Sequence, residues 1–195
     1  MEVIFASQNP NKIKEVKAIL ASLPVNIVSL HDLNFDEELE ETGSTFQENA
    51  FLKAKFIYER YQRPVFADDS GLIIPALGGQ PGVHSARYSG LHGDYQSNNS
   101  LVLEKMKDVT DRRAYFLTVI CYFDSKGMVH YFQGRLDGAI AMAPSGTNGF
   151  GYDPLFYLPA LDKTLGQTPE TKKNELSHRY RALREFTDFL KKEVI

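Results

Sequence analysis

Val3-Ile4-Phe5-Ala6 is a short apolar run, and after Ser7-Gln8 the chain reaches Asn9-Pro10. No other feature constrains the fold as tightly. An apolar run of that length bounded by polar residues reads as a buried strand. Asn followed by Pro reads as a helix N-cap and its first helical position. Ile13, Val16, Ile19 and Leu20 then recur at helical spacing, carrying the helix to about Ala21. A strand that feeds directly into a helix is the building unit of an α/β sheet.

The rest of the chain repeats that alternation. Val25 to Leu30 suits a second strand, and Asp36 to Glu41 is an acidic loop. Ser44 with Gln47, and Thr45 with Glu48, each match a capping box, so a helix starts there with Phe46, Ala50, Ala54, Ile57 and Tyr61 on its apolar face. Pro64 to Ala67 reads as a strand running into Asp68-Asp69-Ser70-Gly71, with Leu72 to Ile74 as another short strand. Gly78 to Gly93 reads as loop and Asp94 to Lys107 as helix. Asp124-Ser125-Lys126-Gly127 is a hairpin signal between strands Ala114 to Phe123 and Met128 to Arg135. Leu136 to Ala143 extends the sheet, and Ser177 caps a last helix with Tyr180, Leu183, Thr187 and Leu190 inward. The expectation is an α/β fold with a central mixed β-sheet flanked by helices.

Composition narrows the function classes. The 195 residues are 43% hydrophobic and 24% charged, which excludes a disordered chain. The net charge of -3 argues against a nucleic-acid partner. Cys121 is the one cysteine, so no internal disulfide forms and a reducing compartment is expected. The apolar runs are too short to span a bilayer. Met1 to Ala6 shows no basic leader followed by an apolar stretch, so no secretion signal is expected. The expected location is the cytoplasm.

Five segments carry candidate chemistry. Ser7-Gln8-Asn9-Pro10-Asn11-Lys12 opens the first helix, where unpaired N–H groups and the Lys12 charge suit phosphate; a capped turn with a solvated lysine is the plain alternative. Asp68-Asp69-Ser70-Gly71 places carboxylates at a strand end, where they hold magnesium and activate water, or else cap a turn. Glu40-Glu41-Thr42-Gly43 becomes a metal candidate only if the fold brings it beside Asp69. Gly149-Phe150-Gly151-Tyr152-Asp153-Pro154 offers close backbone approach, two rings for stacking on a base and a carboxylate acceptor, or else a glycine turn with core aromatics. Lys172-Lys173 and Ser177-His178-Arg179 supply charge and a planar fork for phosphate or a base edge. The histidines lack zinc spacing, and neither a P-loop nor a G-x-S-x-G elbow is present.

Taken in order, these segments, with Glu41 to Phe46, Glu48-Asn49-Ala50, Gly78 to Gly82 and Ser85 to Gly90, resemble the inosine and xanthosine triphosphate pyrophosphatase family over essentially the whole chain. The resemblance implies a single domain, 1–195, with an elongated two-lobed fold and an active site in the cleft between lobes. It implies a homodimer that uses Mg2+ to hydrolyse noncanonical purine nucleoside triphosphates (ITP, dITP, XTP) to the monophosphate and pyrophosphate.

Carried over residue by residue, Ser7, Gln8, Asn9, Pro10, Asn11 and Lys12 would hold the phosphates, with Lys53 and Lys173 adding charge. Asp69 would be the catalytic carboxylate and a metal ligand. Glu40 would be the second ligand, with Glu41 as the alternative. Ser70 would contact substrate, and Phe150, Gly151, Tyr152, Asp153, His178 and Arg179 would form the base pocket. Ser7-Gln8 stands where this family usually has Thr-Gly. The rival readings are a pyrophosphatase for modified pyrimidine triphosphates and a nucleotide-binding module without hydrolysis.

Overall fold

A computed structural model of the chain describes residues 1–193. Among the described residues there are seven strands in one mixed sheet, with the order β2-β1-β3-β4-β5-β6-β7. The strands are β1 (Glu2–Phe5), β2 (Asn26–Ser29), β3 (Val65–Ile73), β4 (Arg113–Phe123), β5 (Val129–Ile140), β6 (Phe156–Leu158) and β7 (Lys163–Thr164). The helices are α1 (Pro10–Leu20), α2 (Phe46–Tyr61), α3 (Tyr95–Lys105), α4 (Glu170–Leu176) and α5 (His178–Glu193). β1 pairs in parallel with β2 and β3, while β5 with β6 and β6 with β7 are antiparallel. No described helix is long and apolar enough to cross a membrane.

Local sequence accounts for the starts of α1 and α2 and for the β4–β5 turn. The Asn9 side chain accepts from the Asn11 and Lys12 amides at 3.0 and 3.3 Å, and Pro10 starts α1. Thr45 caps α2 by accepting from the Glu48 amide at 3.1 Å. The Glu48 carboxylate reaches one residue past the cap, to the Ser44 amide at 2.6 Å. Of the two expected capping-box patterns, Thr45 supplies the cap, and the Glu48 carboxylate meets Ser44 instead of the Thr45 amide. Asp124 accepts from the Lys126 and Met128 amides at 2.8 and 2.9 Å, closing the β4–β5 turn.

Four expectations need correction. Asp68-Asp69-Ser70-Gly71 is not a turn between two strands; it lies inside the single nine-residue strand β3. The segments Met128 to Arg135 and Leu136 to Ala143 are likewise joined in β5, which ends at Ile140. The loop from Gly78 to Gly93 contains a 3₁₀ turn, Gly82–Arg87, and another, Pro75–Leu77, precedes it. On α5 the core face is Ala182, Leu183, Phe186 and Leu190, with Tyr180 and Thr187 only half-buried beside it. A one-position rotation of a helical stripe is within reach when aromatic residues lie on both sides of it.

The described residues divide into two compact units. The first comprises Met1–Asp69, Thr118–Gly134 and the chain from His178; the second comprises Ser70–Leu117 and Arg135–Ser177. In the first unit, strand alternation sorts the core into two clusters. Val3, Phe5, Phe66, Ile120 and Tyr122 pack with α1 and α5 through Val16, Leu20, Leu183 and Phe186. Ile4, Ala6, Val65, Ala67 and Cys121 pack with α2 through Ala50, Ala54 and Ile57. The second unit has its own core, including Leu72, Ile74, Val102, Phe116, Tyr152 and Phe156.

Phe186 is fully buried and meets the Phe66, Tyr122 and Phe132 rings at 5.0, 5.0 and 5.3 Å between centroids. Phe186→Ala is expected to destabilise the chain by about 3–5 kcal/mol, from lost transfer free energy plus a cavity. Urea unfolding measures this; a loss below about 1 kcal/mol would contradict the packing described.

Candidate active site

The alternation of β3 continues past its apolar half. Phe66 faces α1 and α5, and Asp68, two residues on, faces the same way. Val65 and Ala67 face α2, and Asp69 follows them. Two adjacent carboxylates, 2% and 5% exposed, are therefore placed in different surroundings.

On the α1 and α5 side, Asp68 is held by cations. Lys12 Nζ lies 3.2 Å from its carboxylate, and Arg179 Nε donates to Oδ2 at 3.2 Å. Arg179 also pairs with Glu15 of α1. Burial opposes ionisation of Asp68, but Lys12, Arg179 and Lys53 outweigh it and hold the carboxyl well below the usual range. Burial pushes the Lys12 ammonium down, helped by Lys53 and Arg179, against the pull of Asp68. Ser7 is buried and accepts from the Asn9 amide at 3.3 Å. Gln8 is exposed and donates to the Glu37 carbonyl at 2.9 Å.

On the α2 side, Asp69 meets a different set. Asn49 Nδ2 donates to Asp69 Oδ2 at 3.0 Å, and Lys53 Nζ lies 3.8 Å from Oδ1. Lys53 also donates to the Asp68 carbonyl at 2.8 Å and to Glu41 Oε1 at 2.6 Å. Burial raises the Asp69 carboxyl above its ordinary value; Lys53 and Lys12 oppose this and Glu41 adds to it. For Lys53, burial is outweighed by Asp69, Glu41 and Asp68, and its ammonium is held above the usual value. A buried carboxylate with a raised proton affinity beside fixed cations is suited to accept a proton.

The glutamate brought into this cluster is Glu41; Glu40 is exposed. Adjacent positions in an irregular loop point in different directions, and sequence spacing carries no information about which one turns inward. Glu15 was not among the expected site residues, and Asp68 and Asn49 lay within the expected motifs without a role of their own. Asn49 and Lys53 did leave a signal, because both are polar at positions in register with Phe46, Ala50 and Ile57 on the buried stripe of α2. His178 opens α5 and is also buried.

The second unit holds Ser70 and the glycine-rich segment. Asp153 Oδ2 accepts from the Phe150 amide at 2.9 Å and from Lys173 Nζ at 2.6 Å. Lys173 also lies 4.7 Å from the centre of the Phe150 ring. Gly149 has φ +73°, and a Cβ there would lie 2.0 Å from Asp153 Oδ2. The turn therefore needs glycine both for its conformation and for the carboxylate beside it. Gly151 is tied to α3 by Asn99 Nδ2, which donates to its carbonyl at 2.9 Å. Tyr152 is a core residue whose hydroxyl donates to the Ser85 carbonyl at 2.7 Å, so Phe150 is the half-buried ring of the pair.

Asp68→Asn would leave buried Lys12 and Arg179 without their shared charge partner. The expected loss is about 3–5 kcal/mol near neutral pH. Because the folded carboxyl is held below its ordinary value of 3.8, its stabilisation is complete above that value and fades as pH falls below it. Denaturation of the wild type and Asp68→Asn should therefore differ most near pH 7 and converge in acid. A constant gap across the titration would contradict this pairing.

Comparison with known proteins agrees in both sequence and fold. The Ham1 family model matches residues 3–189. A dITP/XTP pyrophosphatase of Halalkalibacterium halodurans is 47% identical, covering 97% of this chain and 98% of its own. A dITP/XTP pyrophosphatase of Clostridium perfringens is 44% identical, covering 96% of each chain. The solved Ham1 protein of Staphylococcus aureus superposes with a TM-score of 0.90 at 41% identity, covering 99% of this chain and 100% of that one. A HAM1 protein from Coxiella burnetii also superposes with a TM-score of 0.90, at 37% identity, covering 98% of this chain and 99% of that one. With a family model across nearly its full length and full-length relatives at this identity, the chain belongs to the Ham1 family.

Proposed function

We propose that this chain hydrolyses noncanonical purine nucleoside triphosphates (ITP, dITP and XTP) to the monophosphate and pyrophosphate, in the presence of Mg2+. The observation that carries the reading is Asp69: a buried carboxylate with a raised proton affinity, fixed between Asn49 and Lys53, in a chain whose near relatives are named dITP/XTP pyrophosphatases. The family resemblance adds a cytoplasmic homodimer to this proposal.

The donor set fits a hard divalent cation. Glu41 and Asp69 flank Lys53, and among the described residues no group of three or more His, Cys, Asp or Glu forms a metal cage. Mg2+ commonly takes one or two carboxylates and fills the rest of its shell with water and phosphate oxygens. Asp69 and Glu41 are the residues that would hold it. When bound, it supplies charge neutralisation on the phosphates and acidifies water. Glu40, the glutamate first expected to be the second ligand, is exposed, and the inward-turned Glu41 takes its place in this proposal.

In this reading Asp69 orients the attacking water and accepts its proton. Attack at the α-phosphorus expels pyrophosphate in line. Lys12 and Lys53 supply fixed positive charge for the phosphates, reinforced by the backbone from Ser7 to Lys12 at the N-terminus of α1. Asn9 and Asn11 stand in that first turn, and Pro10 leaves it without one N–H that a helix start could not use internally. His178 is the candidate donor to the 6-oxo group of the base. Arg179 is engaged by Asp68 and Glu15, and so serves the base pocket through placement rather than direct reading. Phe150 offers the stacking ring, Gly151 and Asp153 shape its turn with Lys173, Tyr152 anchors it in the core, and Ser70 adjoins Asp69 for a substrate contact.

Asp69→Asn is expected to fold with an unchanged or higher melting temperature, since ionised Asp69 is disfavoured by burial. Its pyrophosphate release should fall by about a hundredfold or more. Near-normal turnover would remove Asp69 from the mechanism. Chelation of the wild-type enzyme should abolish turnover, and added Mg2+ should restore it.

A panel of triphosphates tests the substrate class. ITP, dITP and XTP should each release pyrophosphate with kcat/KM well above that for ATP, because donors aimed at an oxygen are left unpaired by an amino group. Equal turnover of ITP and ATP would contradict the pocket. Preferred turnover of modified pyrimidine triphosphates would move the chain to a different substrate class. Diphosphate plus orthophosphate as products would place cleavage at the wrong bond.

A further inference from the structure

The side chain of Asn49 is fully buried, and both ends of its amide are engaged. Its Oδ1 accepts from the Gly43 backbone amide at 2.8 Å. Its Nδ2 donates to Asp69 Oδ2 at 3.0 Å. The assignment of oxygen and nitrogen is forced, since a backbone N–H needs an acceptor and an ionised carboxylate needs a donor. One side chain therefore bridges β3 to the loop that carries Glu41, two residues before Gly43.

The neighbouring geometry depends on this bridge. Asn49 and Lys53 are one helical turn apart on α2, and they address different oxygens of Asp69. Together they set the plane of the carboxylate. Gly43 fits only because it has no side chain: a Cβ there would lie 2.8 Å from Asn49 Oδ1 and 2.6 Å from Glu48 Cβ. The loop is thus drawn against α2 as closely as the chain permits. Charge-assisted hydrogen bonds in a buried site are stronger than those between neutral groups, so the bridge resists both rotation of Asp69 and departure of the loop.

We propose that Asn49 is a positioning residue that couples the two carboxylates of the site, its amide nitrogen orienting Asp69 and its carbonyl oxygen anchoring the loop that bears Glu41. This rests on the reading of Asp69 and Glu41 as the metal-holding pair. It assigns Asn49 no contact with substrate. Groups that orient ligands from behind in this way commonly contribute about 10–100-fold in metal affinity or activity.

Two substitutions separate the two halves of the bridge. Asn49→Asp keeps an acceptor for Gly43 but replaces the donor facing Asp69 with an oxygen. Asn49→Ala removes both. Mn2+ serves as the probe, with free ion measured by electron paramagnetic resonance, and protection of the Gly43 amide is followed by NMR hydrogen exchange. Asn49→Ala is expected to lose about 10–100-fold in Mn2+ affinity and to lose Gly43 protection. Asn49→Asp should keep Gly43 protected while pyrophosphate release from ITP at saturating Mg2+ falls about 10–100-fold. Should Asn49→Ala fail to fold, Gly43→Ala supplies the loop-side test, with loss of Mn2+ affinity expected in a chain whose core is untouched. Wild-type Mn2+ affinity and turnover in folded Asn49→Ala would overturn the inference. Weakened Mn2+ binding in Asn49→Ala, together with a wild type that releases no pyrophosphate from any purine triphosphate, would support the inference and reject the functional reading instead.

Discussion

The pleat of β3 is the constraint on which the rest of the site depends. A strand turns successive side chains to opposite faces, so Asp68 and Asp69 cannot share surroundings although they are adjacent. Asp68 is delivered to Lys12 and Arg179, and its charge is secured. Asp69 is delivered to α2, where burial raises its affinity for a proton. The same residue type thus acquires two roles from a single covalent step. A shift by one residue would exchange those roles, but Val65 and Ala67 lock the register, because they must face the α2 cluster while Phe66 faces α5.

The helices contribute charge placement as much as core. α2 carries Asn49 and Lys53 on the stripe that buries Ala50, Ala54 and Ile57. Polar groups in that position are tolerated only when their hydrogen bonds are made inside the protein. Asp69, Glu41, Gly43 and the Asp68 carbonyl supply those partners. Buried ion pairs are a weak source of net stability, because desolvation offsets much of the attraction. What such a network does provide is a fixed arrangement of charges, and electrostatic catalysis needs fixed charges rather than mobile ones. The second unit follows the same logic, with Lys173 and Asp153 paired in a buried site that holds the Gly149 turn.

Much of the framework was legible in the chain itself. The Asn9-Pro10 cap, the Thr45 start of α2 and the Asp124 turn are local interactions, and local sequence determines them. The family resemblance rested on motif order and agrees with the relatives found over the full length. The glutamate of the loop was not legible, since Glu40 and Glu41 differ only in which one turns toward Lys53. The extended path of Asp68 to Gly71 was obscured as well. Asp-Ser-Gly is rich in turn formers, and propensity pointed away from a strand that pairing and burial impose. The roles of Arg179 and Tyr152 also depended on distant partners, Asp68 and Glu15 for one and Ser85 for the other.

By itself the sequence determined the element types, the alternation that makes the sheet mixed, the family and the inventory of acids and cations. Each follows from residues near one another in the chain or from an ordered set of motifs. Only the tertiary structure decided that Asp68 is ion-paired with Lys12 and Arg179 while Asp69 sits against Asn49 and Lys53. Only it joined Glu41, Asn49 and Lys53 around Asp69. The physical reason is that proton affinity depends on burial and on charges a few ångströms away. Residues dozens of positions apart become neighbours only when the chain has closed on its core.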